Sequence, residues 1–164
     1  MTNGHPLREL AFATKSKDIF GNDDTHPEAI WGVIMETAYE DFSLTLVSLV
    51  DGACSLYISN GGGVIGAGEH AHVAALSSSI ASGSGIFFSA YAAPVTEFPY
   101  PSPDHVHFYF LSDSQILKTV ELSEEELGED VYPLSPLFHA IHLLIGSMRE
   151  IEENSETPEI EPEV

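Results

Sequence analysis

Alternating apolar and polar positions predict several β-strands along the chain. Four segments have apolar residues at most alternate positions: 42–50, 54–59, 106–110 and 116–122. This spacing is typical of strands with one buried face. Asp51 and Gly52 separate the first two as a hairpin turn. Two short apolar segments, 64–65 and 86–91, are predicted to add a strand extension and a further strand.

Three other segments have apolar residues at helical spacing. The first is 27–40, which Thr25 could cap and in which Pro27 suits the first turn. The second, 69–84, is rich in Ala and Ser and should pack closely against a neighbour. The third is 135–151. The pattern therefore predicts three helices among the strands.

The remaining segments read as connections or termini. Residues 1–25 are predicted to be a loosely held polar arm with one short turn near 7–13, and 152–164 a disordered acidic tail. The prolines of 92–104 exclude a central strand there. We expect one α+β domain over 26–151, in the order α-β-β-α-β-β-β-α. Its five-stranded antiparallel sheet would carry helices on its faces.

Composition narrows the class of protein. The chain has 164 residues, 43% of them hydrophobic, which is enough for one packed domain. Asp and Glu number 26 against five Lys and Arg, a net charge of −21. That charge argues against nucleic acid or an anionic membrane as a partner. The single cysteine, Cys54, excludes an internal disulfide framework and is expected to be a small core residue.

The charge is unevenly distributed. No Lys or Arg occurs over 18–117, while acids are concentrated in 121–130 and 150–163. Such a surface either keeps the protein soluble or captures a basic partner. A basic leader and an apolar stretch of about 18 residues are both missing, so a cytoplasmic location without membrane contact is expected.

A glycine-rich segment before the second helix looks like a dinucleotide fingerprint in outline. Gly66, Gly68 and Ala71 give G-x-G-x-x-A. However, Glu69 stands where a phosphate would approach, and no acid follows about 20 residues later to hold a ribose. We therefore expect a β-to-α connection and no cofactor.

Neither the histidines nor the acids define a site. The histidines that are close in sequence form three pairs: His70 and His72, His105 and His107, and His139 and His142. Paired imidazoles suit metals, but no HExxH or cysteine-rich pattern accompanies them, so surface imidazoles are favoured and no metal is assigned. Glu36, Glu40 and Asp41 are expected at the wet edge of the first helix. No catalytic residue is assigned.

The order of elements resembles the roadblock/LC7 family, which is related in shape to longin and profilin-like domains. The residues that carry the resemblance run from Cys54 to Ile80: a strand, the turn Asn-Gly-Gly-Gly, a short strand and a small-residue helix. The resemblance implies a non-enzymatic module that forms homodimers through its second helix and third strand. Such modules are scaffolds or regulators of small GTPases or motors.

These observations leave three hypotheses. The first is a protein-interaction or scaffold module, homodimeric through an interface formed by Val73, Leu76, Ile80, Ile86 and Phe88. The second is an acidic inhibitor, of the toxin-immunity or nucleic-acid-mimic type, that captures a basic partner. The third is a small metal-binding enzyme that uses the paired histidines. Salt distinguishes the first two, because charge-driven capture weakens as ionic strength rises.

Overall fold

The computed structural model describes residues 5–22 and 24–156. It confirms an α+β fold with an antiparallel sheet, but the sheet has eight strands, not five. The strands are β1 Gly32–Ala38, β2 Ser43–Leu49, β3 Cys54–Ile58, β4 Gly63–Ile65, β5 Ala92–Val95, β6 His105–Leu111, β7 Ile116–Thr119 and β8 Leu122–Ser123. The helices are α1 Pro6–Ala13, α2 Ser16–Phe20, α3 Ala71–Phe87, α4 Glu124–Gly128 and α5 Ser135–Glu156.

The sheet has hydrophobic clusters on both faces. Its strand order is β4-β3-β2-β1-β6-β7-β5, with β8 beside one end of β6. α3 and α5 pack on one face, over Met35, Leu46 and Phe108. α1 covers the other, where Phe12 meets Ile34 and Tyr109. The two central strands, β1 and β6, are therefore buried on both sides.

The predicted helix 27–40 is wrong, because its core is strand β1. Every residue of β1 is buried. Val33 and Met35 point to the α3 and α5 face, and Ile34 points to the α1 face. A strand buried on both faces has apolar residues at nearly every position, and such a run also satisfies helical spacing.

The predicted strand 86–91 is also wrong. α3 continues to Phe87, and a 3₁₀ turn, Ser89–Tyr91, leads into the edge strand β5. Gly85 does not end the helix. A Cβ there would lie 2.7 Å from Cβ of Ile30, so this glycine allows α3 to approach the chain just before β1.

Strand 116–122 is divided in two. β7 pairs with one end of β6 and β8 with the other. Between them the exposed Val120 lies outside the ladder, and the Thr119 hydroxyl accepts a hydrogen bond from the Phe108 amide. The acid-rich segment 121–130 contains the short helix α4, which Ser123 caps by accepting a hydrogen bond from the Glu126 amide.

The two terminal segments are more ordered than expected. Within the predicted arm 1–25, residues 6–13 and 16–20 form α1 and α2. At the other end, α5 runs to Glu156, past the predicted end at 151. The rest of the predicted tail, 157–164, lies outside the described residues.

Candidate functional site

A shallow apolar groove lies between α3 and α5. Its volume is about 280 Å³, at or below the small end of ligand pockets. The residues lining it include Leu76, Gly83, Phe87, Phe88, Pro136 and Ala140. Phe87 is 69% exposed at the end of α3, and Leu143, one turn beyond Ala140 on α5, is 64% exposed. An exposed aromatic side chain at an apolar groove is typical of an interaction surface.

All of α3 and the part of α5 that lines the groove lack Asp, Glu, Lys and Arg side chains. Residues 70–96 contain no Asp, Glu, Lys or Arg, and neither do residues 131–148. In a chain of net charge −21 these are long neutral stretches. The fold places them side by side, so the groove is an uncharged area on an acidic molecule.

The residues predicted for the interface have different positions. Val73 and Ile80 lie in the monomer core, at 0% and 7% exposure. Leu76 and Phe88 are half-buried and line the groove. Ile86 lies in α3, but its side chain is outside the described part of the structure. Phe87 was not predicted, because that segment was interpreted as a strand.

A group of hydrogen-bonded polar side chains is buried on the other face of the sheet, around Arg8. Arg8 of α1 donates from Nε to Oε2 of Glu36 at 2.5 Å and from Nη2 to Oε1 at 2.7 Å. Thr45 donates its hydroxyl to Oε2 of Glu36 at 2.6 Å. Arg8 also donates to the carbonyl of Phe98, and its guanidinium lies 4.1 Å from the ring centre of Tyr100. We call the groups that the rest of the fold presents to this guanidinium the arginine cradle: Glu36, Thr45, the Phe98 carbonyl and Tyr100.

The sequence pattern does not predict the cradle. Glu36 was expected at a wet helix edge, yet it is 0% exposed in the middle of β1. Burial raises the pKa of Glu36, and its contacts with Arg8 and Thr45 oppose that rise. One feature of the sequence does point to the pair: Glu36 is a single acid within an apolar run. If that run is a strand buried on both faces, the carboxylate needs a cation beside it.

His107 is the cross-strand neighbour of Glu36 and does not face water as expected. It is 4% exposed, and its Nδ1 has no hydrogen-bond partner among the described residues. Burial, assisted by the charge of Lys118, lowers the pKa of His107 to about 4. The imidazole is therefore neutral near pH 7. His105, its predicted companion, is half-exposed, and its Nδ1 is hydrogen-bonded to the Pro103 carbonyl oxygen.

The other histidines and Cys54 do not form a metal centre. Within residues 5–22 and 24–156, no three His, Cys, Asp or Glu side chains come close enough to hold a metal ion. Nε2 of His139 lies 2.7 Å from Oδ1 of Asp130, and the ring centres of His70 and His72 are 6.4 Å apart. Cys54 is buried in the core, as predicted, and burial raises its pKa to about 11, so the thiol is not activated.

The glycine-rich segment forms a tight connection. Gly66 has φ +82°, in the left-handed region, and a 3₁₀ turn follows before α3. A Cβ on Gly68 would lie 2.7 Å from the Gly52 carbonyl oxygen, so that glycine allows close contact with the β2–β3 turn. The preceding strand, β4, has three residues and lies at the sheet edge, unlike the buried strand of a dinucleotide site.

Comparisons with known proteins do not add a relative. No family model, curated protein or solved structure matches this chain. Within the part of the chain that the structure describes, none of the helices combines the length and apolar character needed to cross a membrane.

Proposed function

We propose that this protein is a non-enzymatic interaction module that forms a homodimer through the groove between α3 and α5. The observation that carries the proposal is the coincidence of neutrality and exposed apolar surface. The two charge-free stretches meet at the groove, where Phe87 is 69% exposed, and Leu143 is 64% exposed one turn along α5 from the groove residue Ala140.

The distribution of charge favours a second copy of this chain as the partner at the groove. Two chains of net charge −21 repel each other over most orientations. Repulsion is smallest when the neutral faces meet, and burial of Phe87 then supplies a favourable hydrophobic term. A basic partner would instead be attracted to the acidic faces.

The area of the face suits a small interface. The 17 residues of α3 extend about 25 Å. Two helices packed about 9 Å apart present a face about 20 Å wide, or about 500 Å² for each copy. The total of about 1,000 Å² is near the lower limit for a specific dimer, so we expect a weak, concentration-dependent one.

Light scattering after size exclusion, at low and high salt, tests the proposal. The wild-type chain should be dimeric at high protein concentration, and Phe87→Ser should be monomeric. Leu10→Ser is the matched control: Leu10 is 63% exposed but lies in α1, across the sheet, so its dimer should be unchanged. A monomeric wild-type chain at high salt, or equal dimers in both variants, would contradict the groove interface.

The runner-up is the acidic inhibitor that captures a basic partner. It predicts a complex that weakens steeply with added salt, whereas apolar self-association persists. The roadblock/LC7 resemblance remains a proposal. The hairpin of β3 and β4 followed by the small-residue helix α3 supports it, and homodimerisation through α3 would agree with it.

A further inference from the structure

We propose that the arginine cradle is a binding site for the arginine side chain of a basic protein segment, and that Arg8 occupies it in cis. This inference concerns the α1 face of the sheet. It goes beyond self-association through the α3–α5 groove and does not depend on it.

The cradle has the features that distinguish a guanidinium from other cations. The Glu36 carboxylate accepts two hydrogen bonds from Arg8, and the Phe98 carbonyl accepts a third. The Tyr100 ring lies under the guanidinium plane. A planar fork with five donors satisfies this arrangement, whereas a lysine ammonium cannot make the bidentate contact and stack at once.

The strands that form the cradle cannot supply the cation themselves. β1, β2 and the loop that carries Phe98 and Tyr100 all lie in 18–117, which contains no Lys or Arg. The buried Glu36 must therefore be neutralised by a segment from outside this stretch. In this structure that segment is α1, which precedes every strand of the sheet in the chain.

α1 is attached by few contacts. Among its residues only Arg8 and Phe12 are buried, while Leu10 is exposed. A helix of eight residues is not stable alone, so α1 depends on its contacts with the sheet: the buried anchors Arg8 and Phe12, with the half-buried Leu7 and Ala11 beside them. A separate segment with the same two anchors competes with α1 once its concentration offsets the advantage of the tethered helix, and the acidic surface would speed the approach of a basic chain.

The spacing of the anchors defines the partner segment. Phe12 follows Arg8 by one helical turn, and its ring stacks on Phe98 at 4.3 Å and meets Tyr109 edge-on at 4.8 Å. The partner would present an arginine and, four residues later, an aromatic side chain on one face of a short helix.

Calorimetry with the full-length Arg8→Ala chain tests the site. The probes are a capped peptide of residues 5–14 and the same peptide with citrulline, a neutral isostere, in place of arginine. We expect the arginine peptide to bind at least about tenfold more tightly. Arg8→Ala/Glu36→Gln is the matched control and should lose this preference. Equal affinity for the two peptides, or no binding to a chain that circular dichroism shows is folded, would overturn the proposal.

A second measurement covers the case in which Arg8→Ala does not fold. Excess arginine peptide added to the wild-type chain should speed hydrogen exchange of the α1 amides more than the citrulline peptide does. No difference between the peptides would overturn the proposal. The preference should persist in Phe87→Ser, so failure of the cradle and failure of the groove interface can be told apart.

Discussion

At the scale of single residues, removing one partner of the buried pair of Arg8 and Glu36 should cost far more stability than replacing both partners with apolar residues. Removing one partner leaves an unpaired buried charge, which costs about 3–5 kcal/mol, whereas apolar substitution of both partners is often neutral. We therefore expect Arg8→Met to lose several kcal/mol of unfolding free energy and Arg8→Met/Glu36→Met to recover most of it. Urea denaturation at pH 7 measures both. Equal losses in the single and double variants would contradict this account.

His107 should make the protein less stable in mild acid. The unfolded chain protonates this imidazole below its ordinary pKa of 6.5, whereas the folded chain does so only near pH 4. Because the unfolded state binds more protons between these values, stability falls as the pH drops from 6.5 to 4, by up to about 3 kcal/mol. His107→Gln should remove that part of the dependence. Parallel wild-type and variant curves of unfolding free energy over this range would contradict the prediction.

At the scale of elements, the sequence predicts an element well when only one of its faces is buried. Buried and more exposed positions alternate over most of β3 and recur at helical spacing in α3, so their periodicity identifies them. β1 is buried throughout, and its pattern does not distinguish a strand from a helix. The cradle could not be predicted for a related reason: Arg8 and Glu36 are 28 residues apart, and only the packing of α1 on the sheet brings them together.

Two glycines of α3 should respond to alanine with opposite signs. At Gly83 a Cβ would meet nothing within 4 Å. Gly83→Ala should therefore stabilise the protein by about 0.5–1 kcal/mol, since alanine favours the helix. At Gly85 the Cβ would collide with Ile30, so Gly85→Ala should destabilise it by about 1–3 kcal/mol. Thermal unfolding of both variants checks the pair, and a gain at both positions would show that α3 and Ile30 are not in close contact.

At the scale of the whole molecule, the net charge of −21 should make both stability and self-association increase with salt. Raising NaCl from about 0.01 M to about 1 M shortens the screening length from about 30 Å to about 3 Å, which weakens repulsion within and between chains. We expect a higher Tm and a tighter dimer. Glu125→Lys/Glu129→Lys, at two exposed positions of the acidic segment, raises the net charge by four units. The variant should start with a higher Tm at low salt and gain less from added salt. A dimer that dissociates as salt rises would instead show that opposite charges hold the copies together, which a neutral groove cannot do.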